Sequence, residues 1–394
     1  MNRLYLTVGC ALTLVLGLAC SSCGWITERS MMGRAILWMD ADMGDIDRFP
    51  ARVIAAGEGT PFAFAPATPG RYDGVFAPLV VQRDQASDTV GLDAFLESRQ
   101  SWTFLVLRLD TLVYERGFAG HDGGEVETTF SVSKSLVSLG VGLAIDRGLI
   151  ASVHDPITTY LPELAQRDPR FERVTLEHLL TMTSGVRFER SKMPWGDEAR
   201  SYYHPDLRSV ALSRDISGDA GTDFRYNFYN PLLVGLAVER ASGMSLSALL
   251  SEGIWSRIGA EADASWSLDS RKHGFEKMES GFNAAPRDLL RLGRLVLHEG
   301  RWNGEALLSA DWVRASVTAG PLEDRYGYFW WVNPVEGQHP SWFAEGRFGQ
   351  FIYVVPDLEL VMVRTGSEDG DVRWPSVFEL VARRVRELDQ GAPT

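Results

Sequence analysis

Cysteine is almost missing from this 394-residue chain, and the three that occur, Cys10, Cys20 and Cys23, all precede residue 24. The body beyond them has no disulfide framework, no thiolate metal site and no cysteine nucleophile. Lysine is nearly as scarce: Lys134, Lys192, Lys272 and Lys277 are the whole complement, and arginine supplies the other basic residues. With a formal net charge of -13 no basic footprint is available, which argues against nucleic acid as a partner. The sequence also lacks a G-x-S-x-G elbow, an H-E-x-x-H pair and a Walker-type glycine loop. His121, His154, His178, His204, His273, His298 and His339 are scattered, and no metal or cofactor is expected. There is no internal repeat and no low-complexity tract. The composition, 45% apolar and 23% charged, is that of an ordinary globular protein with ample length for a core.

Residues 1–24 read as an export segment: Arg3 supplies a positive start, Leu4 to Ala19 is uncharged, and small residues surround Cys20 and Cys23. Leu16-Gly17-Leu18-Ala19-Cys20 resembles a bacterial lipid-attachment box, with Gly17 where leucine is usual. A cleaved signal, a lipoprotein anchor on Cys20 or Cys23, and an uncleaved membrane anchor over Leu4–Ile26 stay open as alternatives. Each places the body outside the cytoplasm, in the periplasm or cell envelope, with membrane attachment through the N-terminus in the last two cases.

Ser131-Val132-Ser133-Lys134 opens an apolar helical pattern that carries no charge from Leu136 to Ile145. Residues three apart on a helix project from one face, so the amine can reach the hydroxyl. A serine hydroxyl is a poor nucleophile until a base takes its proton, and a lysine is a base only when neutral. A helix apolar nearly all round belongs in the interior, where an unpaired ammonium is costly and the neutral amine is favoured. Taken alone, the tetrapeptide is equally an N-cap serine followed by an early helical lysine.

Two β-branched and aromatic runs, Trp102–Arg108 and Leu112–Phe118, predict a hairpin, and a short helix is expected over Leu92–Arg99. The central helix should stop near Gly148. Helical patterns recur at Leu232–Ala241, Leu246–Ile254, Asp288–His298 and Val377–Leu388, with a second hairpin at Gly349–Val355 and Leu358–Val363. The expected fold class is α/β: an antiparallel sheet from both chain ends, flanked by helices, with a helical insertion. The expected division is 1–24 leader, 25–84 N-terminal arm and 85–390 main domain. Within the last, 85–150 and 265–390 form the α/β part and 151–264 the mainly helical part.

Four motifs in order, Ser131-Val132-Ser133-Lys134, Leu180-Thr181-Met182-Thr183-Ser184-Gly185, Phe224-Arg225-Tyr226-Asn227-Phe228 and Gly346-Arg347-Phe348-Gly349-Gln350, resemble those of the beta-lactamase-related serine hydrolases. These are relatives of class C beta-lactamases, D-alanyl-D-alanine carboxypeptidases and 6-aminohexanoate-dimer hydrolases. Tyr226–Gly235 and the aromatic cluster Tyr326–Trp331 are most similar to the last branch. The resemblance implies a beta-lactamase/transpeptidase-like fold, with Ser131 as acylated nucleophile, Lys134 as proton acceptor and Tyr226 as proton shuttle. It also implies an oxyanion hole from the backbone N–H groups of Ser131 and Arg347, beside Gly346, where substrate approaches the strand. Trp330 and Phe228 are expected to line the substrate pocket.

Two departures from the family pattern bear on the substrate. Relatives acting on beta-lactams or peptidoglycan carry Lys-Thr-Gly or His-x-Gly where this chain has Ala344-Glu345-Gly346. The third residue of the tyrosine motif, commonly Asn, is Phe228. Both favour a small ester or amide without a carboxylate at that point, cleaved by a serine hydrolase of esterase or amidase type. Beta-lactamase or D-Ala-D-Ala peptidase activity, and a non-catalytic envelope protein binding a peptide or cell-wall fragment, are the alternatives.

Overall fold

Two hairpins from opposite ends of the chain make the main sheet. The computed structural model describes residues 28–68, 72, 75, 76, 91–191, 193–333 and 340–391. The expected leader with Cys20 and Cys23, the arm boundary near residue 84, Lys192 and His339 lie outside the described residues. In chain order the strands are β1 (Ala51–Ile54), β2 (Ala65–Pro66), β3 (Ser101–Arg108), β4 (Thr111–Gly117), β5 (Glu127–Thr128), β6 (Ala264–Ser267) and β7 (Phe282–Ala284). They continue with β8 (Arg301–Trp302), β9 (Glu305–Ala306), β10 (Trp331–Asn333), β11 (Ser341–Gly346), β12 (Gln350–Val355) and β13 (Leu360–Gly366). Among the described residues, seven strands form one sheet in the order β10-β11-β12-β13-β3-β4-β2, antiparallel except for the β2–β4 pair.

The β3–β4 hairpin turns on Leu109 and Asp110, both at positive φ (47° and 58°), the two-residue geometry whose twist suits the flanking strands. Asp110 also anchors the turn: its carboxylate accepts from Arg294 Nε at 2.5 Å and Nη2 at 2.7 Å. Strand alternation then divides the core. Leu105, Leu107, Ile352, Val354, Val361 and Val363 face the helix Pro286–Leu297 and the larger core, whereas Phe104, Val106, Phe351, Tyr353 and Met362 face Trp374, Phe378 and Val381. Both faces are covered, which is why β12 and β13 read as continuous rather than alternating apolar runs.

The helix Val132–Asp146 is buried at every residue from Val132 to Ala144 and packs against the helix Tyr229–Ser242, itself buried from Tyr229 to Val238. The N-terminal arm is stitched into the body rather than merely laid over it. β1 adds an edge to a four-stranded sheet, β1-β6-β7-β5, and β2 adds one to the main sheet. Ahead of them the buried Arg34, on the helix Met31–Leu37, donates to the Asp269 carbonyl at 2.6 Å. Helical patterning cannot show such pairing, because two to four residues carry no readable period.

Candidate active site

Ser131 stands at the head of the central helix, one of its few residues reached by solvent. Its side chain does not cap the helix, which leaves Oγ for other partners. The backbone around it is held closely. Phe130, just before it, is in the left-handed region (φ 47°), a conformation that costs about 1–3 kcal/mol for a side chain of this size and needs support from its surroundings. That support is visible: Ser133 Oγ donates to the Phe130 carbonyl at 2.5 Å and accepts from Phe282 N–H at 2.8 Å. Thr129 Oγ1 donates to the Phe282 carbonyl at 2.7 Å. β11 comes so near that a Cβ on Gly346 would lie 2.1 Å from the Thr129 carbonyl oxygen, so only glycine fits there.

Lys134 reaches back one helical turn, and its Nζ lies 2.8 Å from Ser131 Oγ. It also donates to the backbone carbonyl of Glu279 at 2.7 Å. The rings of Phe228 and Tyr226 flank it, with centroids 4.9 and 5.0 Å from Nζ. Burial therefore dominates: desolvation brings the ammonium down to about 7, against a smaller opposing pull from the Glu279 charge. An amine of that basicity gives up its proton readily near pH 7, and its neutral form stands within reach of a serine hydroxyl.

Tyr226 completes the cluster. Burial raises its phenol well above the ordinary value, and the hydrogen bond it shares with Ser131 pulls the other way. Its ring lies nearly parallel to Trp331 at 5.9 Å and edge-on to Phe228 and Tyr326. The loop that carries it is fixed by Asn227, whose amide donates to the Val186 carbonyl at 2.8 Å while its oxygen accepts from Tyr229 N–H at 2.9 Å. Arg225 N–H donates to the Met182 carbonyl at 2.8 Å, and Asn230 is bonded to Ser184 and to the Leu179 carbonyl. The Leu180–Gly185 motif thus serves as the shelf on which the tyrosine loop rests.

The remaining sequence candidates divide. Phe228 and Gly346 belong to the cluster. Trp330, expected as a pocket wall, is instead buried in the core, and Trp331 takes the place against Tyr226. Adjacent positions where β10 begins face opposite ways, and the strand register alone decides which. The Arg347 side chain turns outward, pairing with Asp40 at 2.6 Å and lying over the Phe348 ring. Its backbone N–H and that of Ser131 are not taken by carbonyls of the surrounding turns among the described residues. Glu345 reaches solvent, yet the protein crowds its carboxyl: desolvation, with help from Asp369, lifts it to about 7. Its charge acts on both Tyr226 and Tyr326. Sequence reasoning missed the Glu279 carbonyl, since a backbone acceptor leaves no mark in the residue types.

The sequence pattern of the Beta-lactamase family matches residues 92–382. The chain belongs to the beta-lactamase family. Within that family it is 28% identical over 335 residues to the 6-aminohexanoate-dimer hydrolase of Paenarthrobacter ureafaciens, covering 78% of this chain and 82% of that protein. Its fold is shared with a candidate 6-aminohexanoate-dimer hydrolase from Bacillus anthracis (TM-score 0.74, 21% identity, 93% of this chain and 97% of that one). A family VIII carboxylesterase also shares it (TM-score 0.62, 19% identity, 81% and 99%). This is therefore a beta-lactamase-fold hydrolase, and the antiparallel sheet flanked by helices expected from the sequence is the fold observed.

Proposed function

We propose that this beta-lactamase-family chain is a serine hydrolase that opens a carboxylic ester or amide through an acyl-enzyme on Ser131. The observation that carries the reading is the 2.8 Å contact between Ser131 Oγ and a buried Lys134 amine held near neutrality. As Oγ attacks the carbonyl carbon, its proton passes to Lys134 Nζ. The oxyanion formed meets the backbone N–H groups of Ser131 and Arg347, helped by the positive end of the central helix. When the tetrahedral species collapses, the C–O or C–N bond breaks and the leaving group takes the proton from Lys134, relayed through the Tyr226 hydroxyl. Water then reverses the sequence: its proton goes to the Tyr226–Lys134 pair, its oxygen attacks the acyl carbon, and Ser131 regains its hydrogen as the acid departs.

The cleft has an acid, Glu345, and an outward-turned Arg347 at the place where relatives hold a carboxylate-binding cation. This supports substrates without a carboxylate there, and it disfavours beta-lactams and D-Ala-D-Ala peptides. The similarity to 6-aminohexanoate-dimer hydrolases makes a linear amide of amino-acid units the first amide to try, beside short-chain esters. Hydrolysis of p-nitrophenyl acetate and butyrate by wild type and Ser131→Ala tests the reading, with intact mass after a fluorophosphonate probe. Equal rates and no adduct on Ser131 would leave the non-catalytic binding protein as the better description; nitrocefin turnover is expected to be slow or absent. The leader, positive at Arg3 and uncharged from Leu4 to Ala19, further supports export to the cell envelope. Membrane fractionation of wild type and of Cys20→Ala and Cys23→Ala variants distinguishes a lipid anchor from a cleaved signal.

A further inference from the structure

Away from Ser131, on the connection from β4 to β5, three metal-ligating side chains converge. His121 Nδ1 lies 3.0 Å from Glu125 Oε2 and 3.2 Å from Glu127 Oε1, and one ligand atom from each of the three falls within 4.8 Å of the others. The two His121 distances suit a small cation, since ligand atoms ~2.0–2.2 Å from a tetrahedral zinc ion stand roughly 3.3–3.6 Å from each other.

Several independent features hold the cluster in place. Trp102 stacks flat on the His121 ring (4.1 Å, 10°), fixing the plane in which Nδ1 points. A Cβ on Gly117 would lie 1.8 Å from the His121 carbonyl oxygen, so the turn presses on the end of β4 as only glycine permits. Glu127 is the decisive member. Its side chain is 4% exposed, yet neither carboxyl oxygen accepts a well-formed hydrogen bond, and His121 Nδ1 is likewise unsatisfied. The Thr365 hydroxyl, 2.7 Å from Thr103 Oγ1 with either able to donate, approaches it and offsets part of its burial. A buried carboxylate with so little hydrogen bonding is costly. A divalent cation among the three side chains would give both carboxylates a partner.

We propose that His121, Glu125 and Glu127 bind a divalent transition-metal ion of the zinc class, with water completing the shell on the side of the exposed Glu125. One imidazole and two carboxylates are a ligand set zinc accepts in open, three-residue sites. The ion would tie the β4–β5 connection to the strand that leads into Ser131, so its role is to hold the nucleophile's approach rather than to take part in acyl transfer.

The test is calorimetric titration of the chelator-stripped full-length protein with zinc chloride, paired with thermal unfolding. The expected result is one zinc per chain, a rise in Tm on addition, and affinity lower by at least about tenfold in Glu127→Gln. Glu125→Gln, at an exposed position where folding is not at stake, should weaken binding in the same direction. Absence of a saturable one-to-one site, or wild-type affinity in both variants, overturns the proposal.

Discussion

Among the described residues two lysines are buried, and they are handled in opposite ways. Lys277 has a carboxylate: its Nζ sits 3.3 Å from Glu279 Oε1, donates to the Tyr202 carbonyl at 2.5 Å and lies over the Tyr202 ring. Lys134 is given the backbone carbonyl of that same Glu279, a serine hydroxyl and two aromatic faces, but, among the described residues, no carboxylate within bonding distance. Desolvation lowers both amines. For Lys277 the neighbouring charge is a direct ion-pair partner that favours keeping the proton, and for Lys134 it is a distant influence. One short segment, residues 277–281, thereby holds an ion-paired lysine and contacts one without such a pair. The difference shows that burial leaves a lysine free to shed its proton near neutral pH most readily where a paired charge is withheld.

The comparison breaks most sharply by removing each amine. Lys134→Met should lower kcat/KM for p-nitrophenyl butyrate by about 10²–10⁴-fold, with a similar or larger loss in Ser131→Ala. The same substitution should raise Tm near neutral pH, because the buried amine is a cost to folding. The sign follows from linkage: the folded value, about 7, is below the ordinary 10.5, so the unfolded chain binds more protons between them. Stability from this group therefore rises with pH across that window, and the full cost is borne below it. Lys277→Met should do the reverse, lowering stability while sparing kcat per folded molecule, since it strands the Glu279 carboxylate. If both variants shift stability in one direction, the contrast between the two sites is wrong.

Tyr226→Phe keeps the ring stacking and removes only the hydroxyl, with an expected loss in kcat of about 10²-fold and little change in Tm. Glu279→Gln cuts closer to what the lysines share. It should destabilise the fold by about 3–5 kcal/mol, as breaking a buried pair does, and shift the acidic limb of the rate profile to lower pH. The direction is set because the Glu279 charge raises Lys134, so its loss lowers the amine further. In wild type the activity should fall as pH drops through about 7, when Lys134 gains its proton. Glu345 titrates in the same range, so the limb must persist in Glu345→Gln if it belongs to Lys134. The smallest effect is expected from Phe228→Asn: a polar amide beside Nζ relieves some desolvation and shifts the limb upward by a fraction of a pH unit.

The contact between Ser131 and Lys134 was legible because their relation is local. Three residues on a helix fix two side chains on one face whatever the rest of the chain does. Tyr226 needed the resemblance of several motifs in order, since by residue type alone it is an aromatic among Phe224, Phe228 and Tyr229. Trp330 and Trp331 show the limit: the aromatic cluster was readable, but which indole meets Tyr226 depends on the register of β10 with β11. The convergence of His121, Glu125 and Glu127 was equally hidden, because it needs the turn after β4 to fold back onto β5.

By itself the sequence determined the period of each long element, and with it the apolar helix that buries Lys134 and the two hairpins whose strands alternate between two cores. Those are consequences of spacing along one chain. Tertiary structure alone decided which groups meet the buried amine: a carbonyl from residue 279, rings from 226 and 228, and no carboxylate. Basicity depends on what surrounds a charge in space, and neighbours brought from 90 to 145 residues away along the chain leave no local trace.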